Sequence, residues 1–166
     1  MKTRCLWLVI SLFIVSGAFA QEAPITIQTG RLIDGAGNVQ EDVTITVTGS
    51  RITGVSVGAS DDAATYNLSE LTLMPGLIDM HVHLSYGNAR TEEDIDLYAS
   101  VEFRALRGLE AAQRVLAVGF TTIADPTTSG RVSLAIRDAI DAGLFVGPRI
   151  SSSGRQITNR QGLSDW

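Results

Sequence analysis

Two histidines carry the most specific chemistry in this sequence. His81 and His83 are the only histidines among the 166 residues, and both lie in Leu77-Ile78-Asp79-Met80-His81-Val82-His83-Leu84. Written as a strand over 77–84, that stretch sends Ile78, Met80, Val82 and Leu84 to one face and Asp79, His81 and His83 to the other. Positions two apart on a strand are separated by about 6.5–7 Å at the backbone. Two imidazoles at that spacing can tilt towards one divalent ion, zinc foremost, at about 2.1 Å from each nitrogen. A His-x-His is a short pattern, and two core histidines satisfied by backbone groups, or two exposed ones, would produce the same letters. The context favours the metal: Pro75-Gly76 precedes a strand with a wholly apolar second face, and a strand–helix unit follows. Three further polar residues are candidates for the surroundings of the ion or for the substrate side. Asp79 shares the histidine face. Asp125 ends the next strand, where Asp125-Pro126 also reads as a turn cap. Arg149 opens a third strand, where an ion pair or loop anchor is the plainer reading.

The elements that must position these residues alternate in type. Thr91 to Val118 reads as helix, broken once, with Thr91 and Asp94 as a capping pair and acidic residues in the first turn. Ala99, Phe103, Leu106, Leu109, Ala112 and Leu116 form an apolar stripe at helical spacing, with Arg104, Arg107 and Arg114 outside it. Gly119 ends the helix. Phe120 to Ala124 is the next strand and Val132 to Ala142 the next helix, with Val132, Ile136 and Ile140 on one side. Pro148 to Ser152 begins a third strand. Strand–helix–strand–helix–strand with short connections implies parallel strands and right-handed crossovers, the opening of a barrel or a doubly wound sheet. Residues 21–73 differ in character and read as all-β. Ile25-Thr26-Ile27 starts a strand, and Asp34-Gly35 and Gly37-Asn38 are turn signals. Val43 to Thr48 alternates strictly, and Gly49-Ser50 turns it back into Arg51 to Val57. Asp61-Asp62 reads as a solvated turn.

The first 20 residues stand apart. Lys2 and Arg4 precede an apolar run from Leu6 to Val15, and Ala18-Phe19-Ala20 suits a signal peptidase, so a cleaved export signal is expected and with it a periplasmic or extracellular location. The run is short for a membrane span. Cleavage removes Cys5, the only cysteine, which excludes disulfides and thiolate metal sites from the mature chain. The whole chain has 13 Lys and Arg against 18 Asp and Glu, net −5. Losing Lys2 and Arg4 makes it two units more acidic. Such a chain, without basic clusters, is a poor partner for nucleic acid or, after cleavage, for an anionic membrane. A closed eight-stranded α/β barrel typically needs about 250 residues, more than are present.

At this point a family resemblance enters. Leu73-Met74-Pro75-Gly76-Leu77-Ile78-Asp79-Met80-His81-Val82-His83 resembles the first barrel strand of the amidohydrolase superfamily. Gly30-Arg31-Leu32-Ile33-Asp34-Gly35 resembles the start of its small N-terminal sandwich. Ala117-Val118-Gly119-Phe120-Thr121-Thr122-Ile123 and Ala142-Gly143-Leu144-Phe145-Val146-Gly147-Pro148-Arg149 are similar to the imidazolonepropionase-like group, which includes dipeptidases acting on Xaa-Pro peptides. The resemblance implies an α/β fold: the first three strands of an incomplete TIM-type (β/α)8 barrel over 74–166, preceded over 21–73 by part of a small β-sandwich. It implies hydrolysis of an amide C–N bond in a dipeptide or other small-molecule substrate by water activated at one or two divalent ions, usually zinc, with His81 and His83 as the first-strand ligands. The family's lysine or glutamate on strand four, histidines on strands five and six, and aspartate base on strand eight have no counterpart here, so no catalytic residue is assigned. Thr158-Asn159-Arg160-Gln161-Gly162 lacks the histidine that related loops often carry. Two alternatives remain open: an N-terminal fragment of an exported metallohydrolase, inactive and aggregation-prone alone, or a short protein that catalyses nothing and binds metal weakly at most.

Overall fold

The computed structural model describes residues 23–58, 63–128, 130–155, 157 and 159–160. The export signal expected over 1–20, the turn expected at Asp61-Asp62 and most of residues 158–162 lie outside the described residues. The chain forms two compact units, Met1–Met74 and Pro75–Trp166.

In the first unit, β1 (Ile25–Ile33), β2 (Val39–Thr48), β3 (Arg51–Val57) and β4 (Tyr66–Leu73) make one sheet in the order β3-β2-β1-β4. β1 and β2 are antiparallel and joined through Asp34, whose Oδ1 accepts the N–H groups of Ala36 (2.9 Å) and Asn38 (2.8 Å). The expected hairpin is present: β2 and β3 pair antiparallel around Gly49, at φ 59°, a left-handed conformation that glycine adopts without steric cost. The alternation buries Val43 and Ile45 with Leu32, and Ile27, Val47 and Leu73 pack against them. β4 is an addition to the sequence reading, and it runs parallel to β1. Their register shifts between Thr29 and Arg31, where a Cβ on Gly30 would sit 2.0 Å from the Ser69 carbonyl oxygen, so only glycine permits this approach. Among the described residues the unit is a single sheet; the second layer of the expected sandwich is not part of it.

The second unit contains β5 (Leu77–Asp79), a 3-10 turn (Leu84–Tyr86), α1 (Glu92–Asp96), α2 (Val101–Ala117), β6 (Phe120–Asp125), α3 (Val132–Asp141) and β7 (Arg149–Ser152). The strands lie in the order β5-β6-β7, all parallel, as the alternation of elements implies. Leu84, Ala112, Ile123, Val132, Ile136 and Ile150 form the core between the sheet and its helices.

Two expectations are corrected. The strand expected over 77–84 ends at Asp79. Asp79 Oδ1 takes the His81 N–H at 3.0 Å, so a side chain competes with the ladder there. One further parallel hydrogen bond, Val82 N–H to Ala124 O at 2.9 Å, keeps the chain alongside β6 before it turns at Leu84. Val82 and Leu84 reach the core as the alternation requires, whereas Ile78 and Met80 are 60% and 70% exposed.

The second correction concerns the long helix. The expected break is present at 97–100, and Thr91 Oγ1 caps α1 by accepting the Asp94 N–H at 3.2 Å, while Ser100 Oγ caps α2 at Phe103 N–H. The buried face of α2, however, is rotated from the expected stripe. Gly108 and Ala112 are buried, Ala105, Leu109 and Val115 pack on the core, and Phe103 and Leu106 are 55% and 65% exposed. Arg107, placed outside the stripe by the sequence, is buried because its guanidinium has polar partners beneath the loop: Nη2 donates to the Ser85 carbonyl at 2.9 Å and Nη1 lies 3.6 Å from the Asp94 carboxylate. Gly108 permits the close packing, since a Cβ there would be 3.0 Å from the Leu84 carbonyl oxygen.

Candidate metal centre

The segment after β5 brings the two histidines together. Their ring centroids are 5.1 Å apart, edge to face at 78°. They stand beyond the C-terminal end of β5, beside the end of β6, the end of a parallel sheet at which loops build active sites in α/β barrels. The two rings are held differently. His81 is exposed, and its fixed point is its own backbone N–H on Asp79. His83 is half-buried, its ring stacked on Tyr86 (4.6 Å between centroids, 20° between planes), with Nδ1 3.2 Å from the Thr127 carbonyl oxygen. A carbonyl only accepts, so this contact assigns the proton to Nδ1 and leaves the Nε2 lone pair free for a metal.

Beneath His83 lies Asp125, fully buried at the end of β6. Its Oδ2 accepts the Leu84 N–H at 3.1 Å and the Ser133 hydroxyl, and its Oδ1 accepts the Thr127 N–H at 3.2 Å. Burial pushes its carboxyl above the ordinary value, opposed by the Ser133 hydroxyl, the two N–H groups and the charge of His83. The structure thus brings His81, His83, Asp79 and Asp125 to one end of the sheet. Arg149 is not with them: it opens β7 opposite Thr122, three residues before Ser152, the partner of Asp125.

The sequence reading did not include Tyr86, Thr127 or Ser133. Thr127 contributes main-chain groups, which no side-chain pattern reveals. Ser133, a hydroxyl at the start of a helix just beyond a strand-ending aspartate, was the one visible signal. An open groove of about 410 Å³ runs along α2, lined by residues including Arg90, Asp94, Phe103 and Arg107; the histidines do not line it.

The donor set suits zinc, which takes imidazole nitrogen readily. Among the described residues no group of three or more His, Cys, Asp or Glu converges on one point.

Comparison with known proteins agrees with this reading of the fold. The model of the amidohydrolase family matches residues 72–160, more than half of the chain. The chain belongs to the amidohydrolase family. It is similar to the dihydroorotase of Geotalea daltonii (38% identical over 73 residues, 43% of this chain and 17% of that one) and to the dihydroorotase of Geobacter metallireducens (35% over 102 residues, 60% and 21%). Among solved structures it is similar to a Xaa-Pro dipeptidase with methionine bound in its active site, at a TM-score of 0.75 and 33% identity, over 86% of this chain and 36% of that one. A prolidase complexed with N-methylphosphonate-L-proline gives a TM-score of 0.71 at 27% identity, over 86% and 35%. The amidohydrolase chain therefore spans about a fifth of these curated relatives and about a third of the solved ones.

Proposed function

We propose that this amidohydrolase chain supplies the first metal-binding strand of a hydrolase that cleaves a C–N bond in a dipeptide or cyclic amide, with β5, β6 and β7 as the first three strands of a (β/α)8 barrel. The observation that carries the reading is the pair of imidazoles, edge to face at 5.1 Å beyond the end of β5, in a chain of this family. His81 and His83 would hold a divalent ion, zinc by its donor chemistry. Bound there, such an ion supplies Lewis acidity, polarising a carbonyl and lowering the pKa of a water. The residues themselves orient the site. The Thr127 carbonyl fixes the proton on His83 Nδ1, Tyr86 covers one face of that ring, and Asp79 ties down the His81 backbone. The further ligands and the general base that the reaction requires are not among the described residues. The likeness to dihydroorotases and to a Xaa-Pro dipeptidase supports a small amide substrate, linear or cyclic. Residues 1–20 would direct the protein out of the cytoplasm.

The test uses the protein as its gene encodes it, assayed on a panel of Xaa-Pro dipeptides and cyclic amides with its metal content measured. His81→Ala and His83→Ala are each expected to lose bound zinc and hydrolysis together. Full metal occupancy in the double variant would overturn the assignment. Zinc binding without turnover of any amide would favour a metal-binding protein that is not an enzyme.

A further inference from the structure

Asp125 is the only fully buried carboxylate among the described residues, and the chemistry proposed above does not use it. Its two oxygens meet three donors from three separate segments: Leu84 N–H after β5, Thr127 N–H after β6, and the Ser133 hydroxyl at the start of α3. Two of these segments converge on the same imidazole. Leu84 is the next residue after His83 in the chain. Thr127 carries the carbonyl that faces His83 Nδ1. One carboxylate therefore grips the backbone of His83 on one side and its hydrogen-bond partner on the other.

We propose that Asp125 is a positioning residue that holds His83 as its Nδ1–H tautomer, with Nε2 presented for a metal. The inference rests on reading His81 and His83 as a metal pair. Only a carboxylate suits the role. It has about four lone-pair positions for three donors, whereas an asparagine offers one oxygen and adds donors of its own. Hydrogen bonds to an ionised carboxylate are short and strong, and a buried one fixes two loops at once. Partners that orient a metal-binding histidine change metal affinity by about 10–100-fold when removed.

Two readouts decide it. Imidazole nitrogen NMR on the protein as its gene encodes it, labelled with 15N-histidine and free of zinc, reports the tautomer, with His83→Gln assigning the His83 signals. Zinc titration reports affinity. The native protein is expected to show the Nδ1–H form at His83. Asp125→Ala is expected to give a mixture of tautomers and to weaken zinc binding about 10–100-fold. Ser133→Ala leaves both backbone N–H groups in place and should keep the tautomer. Val132→Ala weakens the same core and removes none of the three donors to Asp125, so it should also keep it. Should Asp125→Ala not fold, Asp125→Asn, with one oxygen for three donors, is expected to show a partial shift in the same direction. Native tautomer and affinity in the folded Asp125 variants would overturn the proposal, as would the same tautomer change in Val132→Ala. If the native protein takes no zinc through His81 and His83, the proposed function fails, and the tautomer measurement still decides the role of Asp125.

Discussion

The two units bury polar groups for different ends. In the sheet of the first unit the buried hydroxyls stitch the unit's own strands: Thr29 Oγ1 donates to the carbonyls of Arg31 (3.0 Å) and Leu71 (2.8 Å), and Thr44 Oγ1 to that of Gly58 (2.8 Å). In the second unit Ser85, Arg107, Asp125, Thr128 and Ser133 are buried. Arg107 reaches the Ser85 carbonyl and Asp125 the Leu84 N–H, so both act on the segment that follows His83. Burying a polar group is unfavourable unless it is hydrogen-bonded. Even so, the Ser85 hydroxyl and Arg107 Nε are buried with no hydrogen-bond partner among the described residues.

If that contrast is right, it lies in the polar groups and not in the apolar ones. Ile45 in the first unit and Ile123 in the second are both core residues, 3% and 0% exposed. Ile45→Ala and Ile123→Ala should therefore cost similar amounts, about 2–5 kcal/mol each, by denaturant titration with a probe in the unit concerned. A loss below about 1 kcal/mol at either position, the range of ordinary surface changes, would show that one unit lacks the core described for it.

How far the sequence could be read follows the same division. Strand alternation in Val43–Thr48, the Gly49 turn, the Thr91 cap and the Val132-Ile136-Ile140 face of α3 are set by neighbours along the chain, and all were readable. β4 was not, because Tyr66–Leu73 lacks clean alternation and gains its place by pairing with β1. The face of α2 was misjudged for a related reason. Hydrophobic spacing ranked Phe103 and Leu106 above Arg107, but the guanidinium finds carbonyl and carboxylate partners that only the folded loop supplies. At the candidate site the two histidines were readable as letters and Asp125 as a neighbour. The hold on His83 was not, since it runs through the main chain of Leu84 and Thr127.

A smaller effect is expected where α2 supports that loop. Alanine favours a helix over glycine by about 1 kcal/mol, so Gly108→Ala would stabilise an unconstrained helix. Here its Cβ would meet Ile136 Cδ1 at 2.7 Å and the Leu84 carbonyl oxygen at 3.0 Å. Overpacking of this kind costs about 1–3 kcal/mol, so the variant should be less stable by up to about 2 kcal/mol. The amide signal of Leu84 should shift as its carbonyl yields. Higher stability with that signal unmoved would mean that the loop is not seated on α2.

The smallest effect separates the two units by pH. Asp34, in the β1–β2 turn, is held below its ordinary 3.8 by the Asn38 side-chain amide first and then by the N–H groups of Asn38, Ala36 and Gly37. Asp125 is raised above 3.8, by burial first. Between 3.8 and the lowered value of Asp34 the unfolded chain binds more protons, so the contribution of Asp34 is complete above 3.8 and is lost as pH falls through the folded value. For Asp125 the folded chain binds more protons between 3.8 and its raised value, so its contribution is greatest below 3.8 and declines as pH rises through the folded value. Unfolding free energies measured across that range should show the native advantage over Asp34→Ala shrinking on the acid side. The advantage over Asp125→Asn should shrink on the alkaline side. If the Asp125 difference grows with pH instead, its three hydrogen bonds outweigh burial, and the carboxylate beneath His83 behaves like the one in the exposed turn.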